Sequence, residues 1–306
     1  MRLTTFGHRV ITVAVLASTA ACVHVAPAAH CGASLDRPVR FDQAPGAAAG
    51  LPPVIYWTDR VSGPDPVVFH VLRLDLRDRH FEVVSLIADD PDGAGPAEAA
   101  LTDPRVLAQR EGALAAVNAN GFAGLPDAAG TRDERWRDNL RVDIRGAAIH
   151  QGAWRSRPED GSVIDVTFGI ARDGKPVIGP IRGDNRTIVE AVNAWSFDLL
   201  DRGNPIPQPG GARHPRTAVG FDRSRRWLYF VVVDGRQPDY SVGMTARELA
   251  DLMTRIGADR ALNLDGGGSS VLLVAAQRDR LEVVNRPSGG RPRPVPVLLA
   301  IRRNGK

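Results

Sequence analysis

An α+β fold is predicted for this chain: a mixed β-sheet core with flanking helices, including a C-terminal βαβ unit that carries the candidate site. Three observations point to it. Short apolar runs rich in Val, Ile and aromatic residues recur from Val54 onward, separated by Asp-Gly and Pro-containing turn chemistry. One well-punctuated amphipathic helix, TARELADLMTRIG (245–257), stands between two apolar runs, WLYFVVV (227–233) and ALNL (261–264). No repeat occurs at solenoid or propeller spacing. With 306 residues, 43% hydrophobic and 24% charged, the chain is long enough to bury a sizeable core.

Residues 1–28 read as a signal peptide. MRLTTFGHR is short and polar, with Arg2 and Arg9, and VITVAVLASTAA (10–21) is apolar but too short to span a bilayer. Ala26-Pro27-Ala28 offers a small-x-small cleavage site. TAAC, ending at Cys22, offers a competing lipobox, with Thr19 where Leu is usual. Either way export is expected, to the periplasm, the cell surface or the medium, with membrane contact only through an N-terminal lipid anchor. Residues 29–52 are rich in Ala, Gly and Pro and read as a linker, leaving 53–306 as one domain. Cys22 and Cys31 are the only cysteines and both lie near the processed end. A cysteine nucleophile, a thiolate metal site and a disulfide framework are thereby excluded from the folded body. The formal charge of +4 falls to about +2 without Arg2 and Arg9, and the remaining arginines are interspersed with acids, so no nucleic-acid partner is expected. RPRP (291–294) is a local exception, which a Pro-interrupted loop explains as well as a binding patch does.

VIYW (54–57), VVFHVLRLDL (67–76) and FEVVSLI (81–87) read as strands, and the alternation in VLRLDL suggests one that is half buried. GPDP (63–66) and DDPDGAGP (89–96) are turns. A weak helix over roughly 97–111 precedes ALAAVNANGF. NLRVDIRG, VTFGIARDG, TIVEAV and TAVGFD are further strands. WLYFVVV is apolar throughout, the pattern of a strand covered on both faces. In the helix after it, Thr245 and Glu248 form a capping box. Leu249, Leu252, Met253 and Ile256 share one face, and Gly257 supplies the stop. Strand, helix and strand in this order predict two parallel strands joined by a right-handed crossover.

That unit gives two aspartates a shared address. Its strands end at Asp234-Gly235 and Asp265-Gly266, and both pairs leave the sheet at its carboxyl edge, where α/β sheets bind ligands. Strands paired side by side would place the carboxylates within roughly 5–10 Å, a range that covers both retaining and inverting glycosidase separations. One Asp-Gly pair alone is better read as a turn. Two on one unit, with Gly266, Gly267, Gly268 and Ser269 after the second, favour a site. The glycines allow close approach of a ligand and their N–H groups can form an anion nest. No P-loop or GxGxxG pattern is present, so a sugar phosphate or a diester suits the loop better than ATP. A serine nucleophile is a minority reading, because GGGSS lacks the GxSxG elbow.

HPRTAVGFD (214–222), VVVDGRQPDYSVGMTARELADLM (231–253), ALNLDGGGSSVLLV (261–274), VVNRPS (283–288) and AAVNANGF (115–122) together resemble the ordered blocks of the phosphodiester glycosidase family, over roughly residues 54–301. Asn120-Gly121 and the Asn-free PVPVLLAI depart from its common pattern. The resemblance implies hydrolysis of a sugar-1-phosphodiester, of N-acetylglucosamine type, at the glycosidic C–O bond. It carries over Asp265 and its glycine loop, Asp234 and Arg236, Arg216 and Thr217, Asn118, and Asn285 with Arg286. Asp265 and Asp234 are then the candidate catalytic pair and the others bind substrate. Arg216 or Arg236 would clamp the phosphate, since guanidinium forks match its oxygens. Asn118 would meet a sugar hydroxyl. His214 reads as a structural loop residue. No cofactor is implied; no metal-ligand spacing stands out, although the aspartates and asparagines leave a divalent cation open. A glycan- or wall-binding module without turnover, and a glycosidase on unphosphorylated glycans, are the alternatives.

Overall fold

The computed structural model describes residues 53–158, 166–181, 183, 186–194, 198–208, 211–276 and 280–305; the expected leader and linker lie outside them. The chain opens with a hairpin, β1 (Val54–Val61) and β2 (Val67–Asp75), then β3 (Phe81–Ile87) and the short β4 (Ala99–Ala100). Helix α1 (Pro104–Arg110) leads into β5 (Ala113–Asn118), β6 (Phe122–Gly124), β7 (Arg141–Ile144), β8 (Ala148–His150) and β9 (Ala153–Ser156). Next come β10 (Thr167–Ala171), β11 (Pro176–Gly179), β12 (Ile188–Asn193), β13 (Asp198–Asp201) and β14 (Asn204–Pro205). The last part holds β15 (Arg216–Phe221), β16 (Trp227–Val233), helix α2 (Ala246–Arg255), β17 (Arg260–Asn263), a 3₁₀ turn (Gly267–Ser269), β18 (Leu272–Ala275), β19 (Leu281–Val283) and β20 (Val297–Arg303).

Seven strands form the sheet that carries the site, in the order β1-β2-β16-β15-β17-β13-β14. Two five-stranded sheets, β19-β18-β5-β20-β3 and β11-β10-β12-β8-β9, and a small β4-β7-β6 sheet complete the fold. Both faces of the large sheet are buried. Leu228, Phe230 and Val232 of β16 enter one core with Leu273, Leu299 and Ala116, while Tyr229, Val231 and Val233 enter a second with Leu249, Leu252 and Met253 of α2. The continuous apolar run of WLYFVVV thus does what its pattern predicts. VLRLDL differs: Val71 packs toward α2 while Leu72 and Leu74 fill the other core, so both faces are covered. Its apparent polar position, Arg73, lays its guanidinium over the Trp227 ring at 4.3 Å.

Helix α2 forms where its punctuation predicts. Thr245 accepts from the Glu248 N–H, the Glu248 carboxylate accepts from the Thr245 N–H at 2.9 Å, and Gly257 takes a φ of +98° just past the end. Helix α1 is shorter than the expected 97–111. Asp103 caps it, Pro104 occupies its first turn, and Ala99–Ala100 join a sheet instead.

The α+β class holds in its coarse form, mostly sheet with few helices, but the mixed sheet does not. Every strand pairing among the described residues is antiparallel. β15 is the reason. It pairs antiparallel with β16 (Arg216 opposite Val233) and with β17 (Ala218 opposite Asn263), and so occupies the slot between them. β16 and β17 therefore run the same way but do not touch.

A buried carboxylate joins β3, β8 and β12. Glu190 accepts from the Ser85 N–H at 2.8 Å, the Ser85 hydroxyl at 2.7 Å and the Gln151 N–H at 3.0 Å, and faces His150 Nδ1 at 3.1 Å. The Glu190 hydrogen bond raises the His150 pKa, with burial opposing. A raised imidazole pKa stabilises the fold fully below the ordinary value of about 6.5 and ceases to do so as the pH climbs through the folded-state value. Stability is therefore expected to fall by up to about 1 kcal/mol between pH 6 and pH 8, since the ring is part-exposed. His150→Gln should flatten that slope, as read by urea midpoints across the range.

Candidate functional site

Four strand ends meet at one edge. β16 delivers Asp234 and Arg236, β17 delivers Asp265, β15 begins there with Arg216 and Thr217, and β5 arrives from the sheet across the core with Asn118. Because β15 intervenes, the main chains of β16 and β17 stand two strand widths apart, roughly 10 Å. The expected side-by-side strands are thus replaced by a wider setting with Arg216 between the two aspartates.

Asp234 does not present a free carboxylate. It is 1% exposed, and all of its acceptor positions are engaged. Oδ1 accepts from Asn285 Nδ2 at 3.1 Å and from the Arg286 N–H at 2.9 Å. Oδ2 accepts from the Tyr240 hydroxyl at 3.2 Å and faces His70 Nε2 at 3.1 Å. His70 Nδ1 in turn lies 2.9 Å from the Tyr56 hydroxyl. Burial pushes the Tyr56 phenol up to about 12, against the Thr58 hydrogen bond and with help from the Asp234 charge. Burial, then the same charge, raises Tyr240 as well. Both phenols remain donors. Asp234, expected as one of the catalytic pair, thus has its carboxylate bonded by four groups of the protein.

Asn118, Thr217 and Asn285 are spent in the same way. Asn118 Nδ2 donates to the Asp265 carbonyl at 2.6 Å, and its Oδ1 accepts from Thr217 Oγ1 at 2.7 Å and from the Val271 N–H at 3.1 Å. Asn285 donates to the Ser270 carbonyl at 3.2 Å and accepts from the Leu272 N–H at 2.8 Å. One asparagine brackets the entry to the glycine loop and the other its exit. Asn118, Thr217 and Asn285, expected to meet substrate, are joined here to the backbone of the loop and to one another's strands. Arg286 is exposed and stacks over Tyr240 at 4.9 Å, on the Asp234 side.

The glycine loop bonds most of its N–H groups within the protein. The Gly266 N–H donates to Asp265 Oδ1 at 2.9 Å, Gly267 to the Pro215 carbonyl at 2.9 Å, Ser269 to the Gly266 carbonyl at 3.1 Å and Ser270 to the Gly267 carbonyl at 3.3 Å. What the glycines admit is arginine. Arg236, itself at a strained φ of +59°, lays its guanidinium over Gly267, where a Cβ would come within 3.1 Å of Nη2. Arg293 packs against Gly268, where a Cβ would fall 2.7 Å from Cζ. Arg293 also stands 5.7 Å from the centroid of the Trp136 ring, whose edge meets Phe122.

These cations outnumber their counter-charges. Among the described residues the Arg236 and Arg293 guanidinium groups have neither an ion pair nor a hydrogen bond, while Arg216 donates only to carbonyls, those of Met244 at 3.0 Å and Ala212 at 3.5 Å. Burial and then the Arg236 charge depress Arg216. Burial depresses Arg293, Asp265 opposes, and Arg236 adds to the fall. His214, expected to be structural, pairs its backbone with Met244, and burial, then Arg236 and Arg216, lower its imidazole pKa.

Asp265, unlike Asp234, keeps a carboxylate oxygen with no hydrogen-bond donor among the described residues. Burial pushes its carboxyl up to about 6, against the pull of the Ser269 hydroxyl, Arg293, the Gly266 N–H and Arg145. Ser269 Oγ favours the charged form without making a well-formed hydrogen bond. With Ser270 Oγ, Asn263 Oδ1 and His214 Nδ1 it is buried and unpartnered, so this edge carries polar atoms that a ligand or water would satisfy. A cavity of about 470 Å³ lies away from Asp265, under the Leu125–Arg135 loop, and contains none of the predicted site residues. Among the described residues no three His, Cys, Asp or Glu side chains cluster as metal ligands, and no helix is long and apolar enough to cross a membrane.

Sequence reasoning missed Arg293, His70, Tyr240 and Trp136. For Arg293 a signal existed: three consecutive glycines announce close approach, and the approaching group is the protein's own.

A family profile described as phosphodiester glycosidase matches residues 111–302, more than half of the chain. No curated protein matches. Among solved structures, the catalytic domain of zebrafish N-acetylglucosamine-1-phosphodiester alpha-N-acetylglucosaminidase, auto-inhibited by its pro-peptide, is similar with a TM-score of 0.60 at 20% identity, over 86% of this chain and 87% of that one. A hypothetical protein from Synechocystis is similar with a TM-score of 0.57 at 14% identity, over 82% and 62%. A Burkholderia pseudomallei K96243 protein described as exported has a TM-score of 0.52 at 15% identity, over 78% and 74%. At these identities the likeness is one of fold.

Proposed function

The chain belongs to the phosphodiester glycosidase family, and we propose that it hydrolyses an α-linked N-acetylglucosamine-1-phosphodiester at the sugar C1–O bond. The observation that carries this reading is a cluster of arginines, without carboxylate partners among the described residues, gathered around an Asp whose pKa burial raises to about 6. Such a cluster is costly in an empty protein and suits an anion. Arg216 and Arg236 hold the phosphate. Asp265, with its pKa near 6, serves as base toward water or stabilises the oxocarbenium-like centre. The oxygen of water joins C1, the C1–O bond breaks, and the phosphomonoester leaves with the bonding electrons. A phosphate leaving group needs little acid assistance, which fits a site with one free carboxylate rather than two. Asp234 acts by positioning. The leader pattern, together with the exported protein of similar fold, supports work on envelope or extracellular glycans.

The test compares an N-acetylglucosamine-1-phosphodiester with a neutral α-N-acetylglucosaminide. Turnover of the phosphodiester alone is the expected result. Equal turnover of both points to a general glycosidase, and binding without turnover to a wall-binding module; either overturns the reading. Arg236→Ala should raise KM for the phosphodiester by about 10–100-fold, the loss of a charge-assisted contact, and unchanged steady-state constants would remove Arg236 from the site.

A further inference from the structure

Arg293 has an uncommon seat. It comes from the Pro-flanked RPRP segment, far in sequence from both aspartates. Its guanidinium presses on the backbone of Gly268, so closely that any side chain at 268 would displace it. Its other neighbour is the Trp136 ring. Trp136 in turn meets Phe122 in a T-shaped contact, with centroids 5.0 Å apart, so the cation has a backbone surface and an aromatic ring as neighbours. Among the described residues no carboxylate is within ion-pair distance of it. Asp265 and Arg236 are near enough for both of their charges to act on it. A planar cation thus lies against Gly268 and the Trp136 ring, without a carboxylate partner among the described residues and within reach of the Asp265 and Arg236 charges.

A structural arginine is normally retained by the groups it bonds. This one rests against a glycine backbone and an aromatic ring, and its donors have no acceptor among the described residues. The fork geometry of guanidinium matches phosphate oxygens, and stacking on an aromatic ring reduces the freedom lost when the anion arrives.

We infer that Arg293 is a specificity-determining residue of this site, taking the substrate phosphate together with Arg236, and that Gly268 is glycine in order to seat it. The inference rests on the phosphodiester reading above. It assigns each of two consecutive glycines an arginine: Gly267 seats Arg236 and Gly268 seats Arg293. Removing a seat should then act like removing the arginine, although no charge is lost.

Calorimetric titration of the full chain with inorganic phosphate tests this without relying on turnover. Arg293→Gln should weaken phosphate binding by about tenfold or more. Arg293→Lys should recover only part of it, because the charge returns without the fork. Gly268→Ala should weaken binding by a similar factor, and Arg293→Gln combined with Gly268→Ala should be no weaker than the poorer single variant. On substrates, Arg293→Gln should raise KM for the phosphodiester. Wild-type phosphate affinity in folded Arg293→Gln overturns the inference, as do losses that multiply in the double variant. If Gly268→Ala does not fold by circular dichroism, the two Arg293 variants decide alone. Failure of the unaltered protein to bind phosphate would remove the phosphodiester reading itself, whereas normal binding by Arg293→Gln removes Arg293 only.

Discussion

Asp265→Asn is expected to cost roughly 10²–10⁴-fold in kcat on an N-acetylglucosamine-1-phosphodiester and, at the same time, to make the protein more stable at neutral pH. Both effects come from one cause. Burial raises the Asp265 pKa to about 6, so the folded protein holds its proton more tightly than the unfolded chain, where the value is about 3.8. Between those values the folded state binds the extra proton, and stability declines as the pH rises through the window, then levels off above it. The ionised carboxylate therefore destabilises the fold by about 2 kcal/mol at pH 7, after discounting for its partial exposure. Asn keeps an oxygen for the Gly266 N–H and removes the charge. Activity by sugar release and stability by urea titration should move in opposite directions. A structural aspartate would lose both together. In the wild type, activity should rise through an acid limb near pH 6 if the ionised form is the working one.

Asn118→Ala is expected to lower stability by about 2–5 kcal/mol, because it strands the Asp265 carbonyl, the Val271 N–H and the Thr217 hydroxyl in a nearly water-free setting. Denaturant midpoints measure the loss. Turnover should fall more than the folded fraction does, since the loop loses its entry bracket even in molecules that remain folded. Unchanged stability would show that water replaces all three contacts and that Asn118 is not the bracket described here.

Much of this arrangement was legible in the residues, for reasons that also mark the limit. β16 is readable because each of its residues buries a side chain in one of two cores, and α2 because Thr245, Glu248 and Gly257 make local bonds and turns. The insertion of β15 was not readable. Its neighbours in the sheet are chosen by long-range packing, and nothing in RTAVGF says which strands it will separate. The same blindness affected roles. Asp234 and Asp265 look alike as strand-end Asp-Gly pairs, yet His70, Tyr240, Asn285 and the Arg286 backbone surround only the first. Those partners are scattered over the chain. Consecutive glycines mark a place of close approach, and the approaching groups here are Arg236 and Arg293.

The two asparagine brackets have a kinetic consequence. Asn118 belongs to one sheet and is tied through Thr217 to another, and Asn285 ties the loop exit to the Asp234 anchor. Swinging Asp265 away from its place would require parting the sheets, so the loop has no cheap local opening and joins the most cooperative unit of the fold. Catalytic geometry is then held ready before substrate arrives and needs no rearrangement during reaction. Backbone amides of the loop should accordingly exchange with solvent as slowly as those of β16, and activity under denaturing stress should vanish in step with the core instead of ahead of it.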